Sequence, residues 1–357
     1  MSLPPLHTAH LPNGLHLAYL DSFDLLHPDE RPEEYTTVVG LHGVGFNSAV
    51  WTPLLPHLPP SIRFLAYNQR SYAGSSPAFS PTQPGGVDAM AAYVGDLMQF
   101  VGFAVQELGV REKKDGGEGG IVLLGWSKGT TPLISLLSLL HIPSSSSSAP
   151  SSTSFAAYLS QPPFPSPLDA LDGLLASHLR SILLFEPPGS AFGRPPTADY
   201  TEAMAAVSPP NTSSPEEFAE AFAGWIGQYS GAADGLPASG LAALSPEVLE
   251  AAWEPACVAH GFAWRVAAGA DEVGALARLA LAPPGGEVSL ALPVGFVYGA
   301  RTVEYCLDAK EVVRGWWEGE KVGRTAMRCI EGTNHFAFVH RPREFAQAVQ
   351  GLIRELA

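Results

Sequence analysis

The chain has 357 residues, of which 46% are hydrophobic and 15% charged, so it can bury a large core as one α/β domain with an insertion or as two smaller domains. Its formal net charge is −15, and an acidic surface is repelled by phosphate backbones and anionic lipid, so we expect neither nucleic acid nor a membrane as a partner. Its three cysteines, Cys257, Cys306 and Cys329, are far apart and match no metal-ligand spacing, which predicts free thiols in a reducing compartment and no metal site.

Strand and helix patterns alternate along the first part of the chain. Asn13-Gly14 separates two short alternating stretches and predicts a β-hairpin. Strands are predicted in "YTTVVGLHG" from Tyr35 and in "IRFLAYNQR" from Ile62, and a helix with regular apolar spacing follows from Val87. The apolar run "GGIVLLGW" indicates a strand buried on both faces of a parallel sheet, and "TTPLISLLSLL" indicates a deeply packed helix.

The second part of the chain contains two insertions in this pattern. The segment 142–166 is rich in Ser and Pro, and we predict a flexible insertion because it has too few apolar residues to order itself. After the strand "RSILLFEPP", the region 188–287 indicates helices separated by Pro and Gly. The pattern then returns to strand, helix, strand and a closing helix. This predicts an α/β fold with a doubly wound, mostly parallel sheet, formed by residues 1–187 and 288–357, with 188–287 as an inserted helical cap.

The sequence gives no sign of targeting to a membrane or to secretion. The first residues lack the basic and apolar regions of a signal peptide, and no run of about 18 apolar residues is present. We therefore expect a cytoplasmic protein.

A glycine-flanked serine lies between the buried strand and the apolar helix. Gly125-Trp126-Ser127-Lys128-Gly129 fits the G-x-S-x-G pattern of a nucleophile elbow in its strand-turn-helix context. Such a turn lifts the serine hydroxyl above the sheet at a helix N-terminus, where developing negative charge is stabilised. The flanking glycines are needed because side chains there would collide with neighbouring backbone. The pattern predicts Ser127 as a nucleophile.

Further segments, in the order "LHGVGFNSAVW", "YNQRSYAGSSP" and "EGTNHFAFVHRP", accompany this elbow. Together with the elbow they resemble the α/β-hydrolase superfamily over almost the whole chain. The second segment departs from the usual D-x-R-G-x-G-x-S-x-P pattern, since Asn68 stands where Asp is usual. The resemblance implies an α/β-hydrolase fold and acyl transfer through a Ser-acid-His triad.

The resemblance implies His335 as the general base, because it precedes the last helix as the histidine of this family does. His340, five residues further on, and His42, in the His-Gly loop, are alternatives. A serine hydroxyl needs such a base because its own pKa lies far above 7.

The position of the triad acid is left open by the sequence. The family usually has G-x-x-D after the penultimate strand, but here Gly299 is followed by threonine at the acid position, Thr302. Glu186, at the end of "SILLFEPP", stands at the other place where members of the superfamily carry the acid, and we favour it. Glu304, two residues beyond Thr302, is the alternative.

The oxyanion hole and the substrate contacts are also predicted. One backbone N–H that binds the oxyanion is expected from Lys128, the residue after Ser127. The other is expected from the loop that begins at His42, from Val44 or Gly43, and we favour Val44. The predicted cap is rich in aromatic residues, which favours a hydrophobic small-molecule substrate. The candidate substrate contacts are Trp126, Phe192 and Trp225.

These features predict a serine hydrolase of carboxylic esters or lactones that needs no cofactor. Serine rather than aspartate at the elbow disfavours haloalkane dehalogenase and epoxide hydrolase chemistry. Members of this fold with the acid after the earlier strand include lactone hydrolases of the zearalenone-hydrolase type, so the resemblance extends to them. The alternatives are an acyltransferase, a C–C bond hydrolase, other cofactor-free chemistry on the same triad, or a non-catalytic ligand receptor.

Overall fold

A computed structural model describes residues 3–77, 87–114, 118–141, 173–195 except 175, several positions between 217 and 226, 244–258, 269–283 and 289–357. The Ser-rich segment predicted at 142–166 lies outside the described residues, as do large parts of the predicted cap. The boundaries of the cap therefore stay a prediction.

One eight-stranded sheet organises the described chain, in the order β1-β2-β4-β3-β5-β6-β7-β8. Its strands are β1 (His7–His10), β2 (His16–Asp21), β3 (Thr36–Leu41), β4 (Ile62–Tyr67), β5 (Ile121–Trp126), β6 (Leu179–Phe185), β7 (Ser289–Gly299) and β8 (Gly323–Ile330). Strand β1 pairs antiparallel with β2, and β2 with β4, whereas all pairings from β4 to β8 are parallel. This confirms the predicted α/β fold with a mostly parallel sheet.

The N-terminal hairpin follows from its turn residues. The Asn13 side chain accepts a hydrogen bond from the N–H of Leu15 over 3.1 Å, and Gly14 has a φ of 81°. Glycine adopts this left-handed conformation without a steric penalty. The turn therefore brings β1 and β2 together, as predicted.

Helices cover both faces of the sheet. They are α1 (Val87–Gln106), α2 (Thr130–Leu140), α3 (Pro246–Ala252), α4 (Ala270–Leu281), α5 (Glu304–Glu320), α6 (Ala337–His340) and α7 (Pro342–Glu355). Alternate residues of a strand point to opposite faces, and accordingly Leu184 belongs to one buried cluster while its neighbours Leu183 and Phe185 belong to another. The first ten residues of α2 are all buried, which agrees with its apolar sequence.

Helix α4 packs on the core, although its residues fall within the range 188–287 that the sequence predicts as the cap. It packs against α2, and its buried Leu276, Ala277 and Leu281 share a cluster with β6 and β7 residues. The cap was predicted because no strand pattern occurs in 188–287. The absence of strands does not distinguish a cap helix from a helix that packs on the sheet.

The cysteines are free thiols: Cys257 and Cys306 are buried and Cys329 is half-buried. Within the described ranges, no helix has the length and apolar character needed to span a membrane.

Candidate active site

The elbow around Ser127 has the backbone geometry that its sequence predicts. Ser127 follows β5 directly and has a φ of 53°, a left-handed conformation that is costly for a residue with a side chain. A Cβ on Gly125 would lie 2.5 Å from the carbonyl oxygen of Gly129, and a Cβ on Gly129 would collide with the carbonyl oxygen of Leu41. Both flanking glycines are therefore required for the turn.

The loop after β3 lies against Ser127. It begins at His42 and is predicted to bind the oxyanion, and we call residues 42–45 the oxyanion loop. A Cβ added to Gly43 would lie 3.2 Å from the Cβ of Ser127. The carbonyl oxygen of Gly43 is bound by Nδ1 of His42 over 2.9 Å. In a planar trans peptide the N–H points opposite to the carbonyl, so the N–H of Val44 points away from His42. The N–H of Gly45 is already donated to the Tyr72 hydroxyl over 3.0 Å.

His42 holds this loop and has no nitrogen free to act as the base. Its Nε2 accepts the N–H of Gln69 over 3.0 Å, so Nδ1 carries the proton and donates to Gly43. Complete burial lowers the pKa of His42 to about 3, which keeps the ring neutral.

Glu186 and His335 form a buried acid-base pair beside the elbow. Glu186 follows β6 directly, with a φ of 52°, and His335 lies between β8 and α6. Nδ1 of His335 is 3.3 Å from Oε2 of Glu186, and the two residues are 3% and 0% exposed, respectively. The carboxylate also accepts the N–H of Gly299 over 2.6 Å and the hydroxyl of Thr302. A carboxylate held by two donors is fixed in position to orient an imidazole.

The alternative acid and base lie in different surroundings. Glu304 is exposed at the start of α5, where its charge favours the helix N-terminus. His340 is at the end of α6, and burial lowers its pKa. Of the sequence candidates, the structure brings together Glu186 and His335.

Trp126 holds the histidine loop against the elbow. Its indole N–H donates to the carbonyl oxygen of His335 over 2.9 Å, and the two rings lie 5.3 Å apart. Trp126 is 1% exposed and packs between Phe46, Phe336 and Phe338. Its contacts are those of a packed core residue that positions His335, rather than those of the predicted substrate contact.

Of the other two predicted substrate contacts, Phe192 lies in a different cluster and Trp225 lies outside the described residues. The Phe192 ring packs on Trp316 of α5, with centroids 6.1 Å apart, in the buried cluster of α2 and α4. Trp126 belongs to the cluster on the other face. Phe192 is therefore packed in the core on a different face from Trp126. Its role as a substrate contact stays a prediction.

A segment around α3 covers the oxyanion loop. The N–H of Asn47 donates to Ala252 over 2.9 Å, and the N–H of Glu254 donates to Gly45 over 2.8 Å. The Trp253 ring lies 5.0 Å from the Phe46 ring and is stacked on Phe222. We call residues 244–258 the roof segment.

Cys306 is a third group at the acid-base pair. Its Sγ lies 3.7 Å from Nδ1 of His335 and 3.6 Å from the carbonyl oxygen of Glu186. Within the described ranges, Glu186, Cys306 and His335 form the one group of His, Cys and carboxylate residues with ligand atoms close enough to share an ion, within 4.8 Å of one another.

Sequence reasoning missed the roles of Thr302 and Cys306. The sequence shows Thr302 only as the residue that replaces the family's aspartate. A hydroxyl at that position could have indicated a hydrogen-bond donor to an acid supplied by another strand. Cys306 had no motif of its own, and its place beside His335 depends on the fold.

Solved structures of α/β-hydrolase-fold proteins match the chain over nearly its whole length. The haloalkane dehalogenase DatA from Agrobacterium tumefaciens C58 is 14% identical with a TM-score of 0.58, and the match covers 99% of this chain and 97% of that chain. The esterase RhEst1 from Rhodococcus sp. ECU1013 is 18% identical with a TM-score of 0.57, covering 99% of both chains. A bromoperoxidase from Bacillus anthracis is 13% identical with a TM-score of 0.53, covering 98% of this chain and 100% of that chain.

These matches and the sheet order show that the chain has the α/β-hydrolase fold. At such low identity they establish the fold alone. No protein-family model matches the sequence, and a comparison with curated proteins finds no match.

Proposed function

We propose that this protein is a serine hydrolase that cleaves a carboxylic ester or lactone of a hydrophobic small molecule through an acyl-enzyme on Ser127. The observation that carries the proposal is the buried pair of Glu186 and His335, 3.3 Å apart, joined through Trp126 to an elbow that holds Ser127 at a φ of 53°. Three separate strand ends, of β5, β6 and β8, supply these residues at one edge of the sheet.

In the acylation step, the Ser127 oxygen attacks the ester carbonyl while Nε2 of His335 takes the hydroxyl proton. The carbonyl oxygen becomes negative and is bound by the N–H groups of Lys128 and Val44. His335 then gives its proton to the leaving alcohol, and an ester of Ser127 remains.

In the deacylation step, His335 takes a proton from water as that water attacks the acyl-enzyme. His335 then gives the proton to the Ser127 oxygen as the bond to the acyl group breaks and the acid is released. The imidazolium that forms in each step is stabilised by the Glu186 carboxylate. Thr302 and Gly299 hold that carboxylate towards Nδ1. These steps transfer acyl groups and protons between the substrate, water and side chains of this chain.

The roof segment supports a hydrophobic substrate. The Trp253 ring packs edge-to-face against Phe46, next to the oxyanion loop, and is stacked on Phe222, so these three rings form an apolar cluster there. Apolar walls with a few fixed polar groups are typical of sites for small organic ligands. RhEst1, one of the structural neighbours, is described as an esterase, which agrees with this reaction class.

The proposal is tested by the hydrolysis of para-nitrophenyl alkanoates by the parent, Ser127→Ala, Glu186→Gln and Glu304→Gln. We expect loss of turnover in Ser127→Ala and a roughly ten-thousandfold lower kcat in Glu186→Gln, because the imidazole loses its orienting acid. Glu304→Gln is the matched control and should keep the parent kcat, because its side chain is exposed.

Equal loss in both glutamine variants, or unchanged hydrolysis in Ser127→Ala, would contradict the assignment. Adding an acceptor alcohol separates hydrolysis from acyl transfer: a new ester as the main product would make the protein an acyltransferase. A folded parent that hydrolyses no ester would favour a ligand receptor.

A further inference from the structure

The side chain next to the nucleophile is a buried cation with no acceptor in the described part of the chain. Lys128 is 6% exposed, and its Nζ has no hydrogen-bond partner among the described residues. The ammonium lies over the Tyr93 ring, 4.9 Å from the centroid. Buried polar groups almost always have hydrogen-bond partners, and a buried charge without a counter-ion is costly. A cation–π contact leaves its three N–H donors unused.

The described neighbours of Lys128 supply no negative charge. His42 is neutral and uses both ring nitrogens in the oxyanion loop. Cys257 donates its thiol to the carbonyl oxygen of Ser71, and burial raises the pKa of that thiol to about 12, so it is protonated. Burial also raises the pKa of Tyr93, so that phenol is neutral as well. These three groups belong to the oxyanion loop, the roof segment and α1. The carboxylate of Glu254, also in the roof segment, lies 3.7 Å from the Cys257 Sγ and accepts hydrogen bonds from the Asn47 side-chain amide and the N–H of Ala73.

We propose that the Lys128 ammonium binds a carboxylate carried by the substrate, so that the preferred ester or lactone is an anionic one. This inference rests on the proposed function. The ammonium belongs to the residue whose N–H is assigned to the oxyanion hole, and it faces the oxyanion loop and the roof segment. A substrate bound with its carbonyl at Ser127 lies next to this residue, and its carboxylate is the group that pairs with the ammonium.

A carboxylate fits this site better than a phosphate. One ammonium balances one negative charge, and its three donors match a carboxylate's acceptors. The chain's net charge of −15 opposes the entry of a dianion more strongly than that of a monoanion. The aromatic roof covers the rest of the substrate, so the ligand class is an apolar acyl compound with one carboxylate.

The protonation of Lys128 makes this recognition depend on pH. Burial lowers the pKa of Lys128 to about 7, so about half of the amines carry a proton at neutral pH. A bound carboxylate favours the protonated form. The preference for an anionic over a neutral substrate is therefore greatest below pH 7. It falls above pH 7, where the amine loses its proton.

The test measures kcat/KM for para-nitrophenyl monoesters of straight-chain dicarboxylic acids and for neutral alkanoates of matched length. The quantity compared is the ratio of anionic to neutral kcat/KM, which cancels changes that affect both esters. We expect Lys128→Met to lower this ratio about ten- to a hundredfold, since a charge-assisted hydrogen bond is lost. Lys128→Arg keeps the positive charge, so its ratio should stay close to that of the parent at pH 7. Above pH 7 the parent's ratio should fall, whereas that of Lys128→Arg should stay nearly constant.

A binding measurement separates this inference from the proposed function. In a Ser127→Ala background neither ester is cleaved, and calorimetric binding of the same ester pairs reports the carboxylate preference without turnover. An equal ratio with and without the Lys128→Met substitution, by kinetics and by binding, would overturn the inference while leaving the hydrolase intact. A parent that cleaves neither ester but binds the anionic one through Lys128 would overturn the proposed reaction and support the anion site.

Discussion

Thr302 donates its hydroxyl hydrogen bond to the carboxylate of Glu186, so the residue at the family's usual acid position holds the carboxylate that we propose as the triad acid. Glu186 reaches His335 from the end of β6, and the N–H of Gly299 binds its other oxygen. An aspartate at 302 would bring a second negative charge against Glu186, which is unfavourable in a buried site. A glutamate after β6 is therefore compatible with a threonine after β7, which donates a hydrogen bond to it, and is not compatible with an aspartate there.

The first prediction concerns this pair. Thr302→Val removes the hydroxyl while keeping the branched shape, and we expect kcat for ester hydrolysis to fall about ten- to a hundredfold with little change in KM. Thr302→Ser keeps the donor and should restore most of the rate. Moving the acid in Glu186→Gln/Thr302→Asp should recover activity relative to Glu186→Gln alone. A Thr302→Val variant with the parent kcat would show that Glu186 needs no such donor.

The second prediction concerns the indole that joins the elbow to the histidine loop. Trp126→Phe leaves the buried carbonyl of His335 without its donor, and we expect a loss of about 1–3 kcal/mol in the free energy of unfolding. Trp51→Phe is a close control because Trp51 is fully buried and its indole N–H has no partner within the described ranges. Urea unfolding of both variants should show the larger loss in Trp126→Phe. An equal loss would mean that ring volume, and not the hydrogen bond, sets the cost.

The third prediction concerns the protonation of Lys128. Its pKa is lowered from 10.5 to about 7 in the folded protein, mainly by burial, against a small opposing effect of Cys257. Between these values the unfolded chain binds a proton that the folded chain does not, so the stability of the parent rises with pH across this window. Lys128→Met should therefore be more stabilising at about pH 6 than at about pH 10, by up to about 5 kcal/mol.

Urea unfolding at the two pH values measures this difference. Lys114→Met serves as the control, because Lys114 is exposed and pairs with Glu34 at the surface. A surface pair of this kind contributes about 0–1 kcal/mol. A Lys128→Met effect that is the same at both pH values would contradict the burial of an unpaired amine.

The fourth prediction concerns the turn glycines. Gly125→Ala places a Cβ 2.5 Å from a backbone oxygen that cannot move freely, and we expect a loss of stability of more than about 2 kcal/mol. Gly102→Ala, in α1, meets no atom within 4 Å and should stabilise the protein by about 0.5–1 kcal/mol. Thermal unfolding distinguishes the two. A tolerated Gly125→Ala would mean that the elbow can relax.

The fifth prediction concerns soft metal ions. Nδ1 of His335 lies 3.7 Å from Sγ of Cys306 and 3.3 Å from Oε2 of Glu186, separations that the ligands of a tetrahedral ion such as Zn²⁺ can have. Binding would occupy Nδ1 of His335 and break its contact with Glu186. We expect Zn²⁺ to inhibit ester hydrolysis reversibly, with at least about tenfold weaker inhibition of Cys306→Ala. Equal inhibition of both proteins would place the ion elsewhere.

The sequence predicts the sheet and the elbow because both depend on local patterns. Asn13-Gly14 specifies the hairpin, and the glycines at 125 and 129 specify the turn that holds Ser127. The structure confirms the reason, because a Cβ at either of these two glycines would collide with a backbone oxygen. Buried strands of continuous apolar residues likewise identify β3 and β5.

Contacts between distant segments could not be predicted in this way. Glu186 and Glu304 are both plausible acids in the sequence, and only the order β6-β7-β8 and the burial of one of them distinguish them. Phe192 follows Glu186 by six positions but packs on the opposite face, and α4 lacks any local sign that it joins the core. The surroundings of the Lys128 ammonium are likewise a property of the folded chain, because no local pattern shows which described residues could accept its hydrogen bonds.

The measurement that tests the account most directly is the rate of fluorophosphonate labelling, read by mass spectrometry of the peptide that contains Ser127. An activated serine reacts with this probe whatever the natural substrate is, because the phosphonyl group imitates the carbonyl under attack. We expect rapid labelling of Ser127 in the parent, none in Ser127→Ala, a large loss of rate in Glu186→Gln and the parent rate in Glu304→Gln. A folded parent in which Ser127 stays unlabelled would contradict the nucleophile itself.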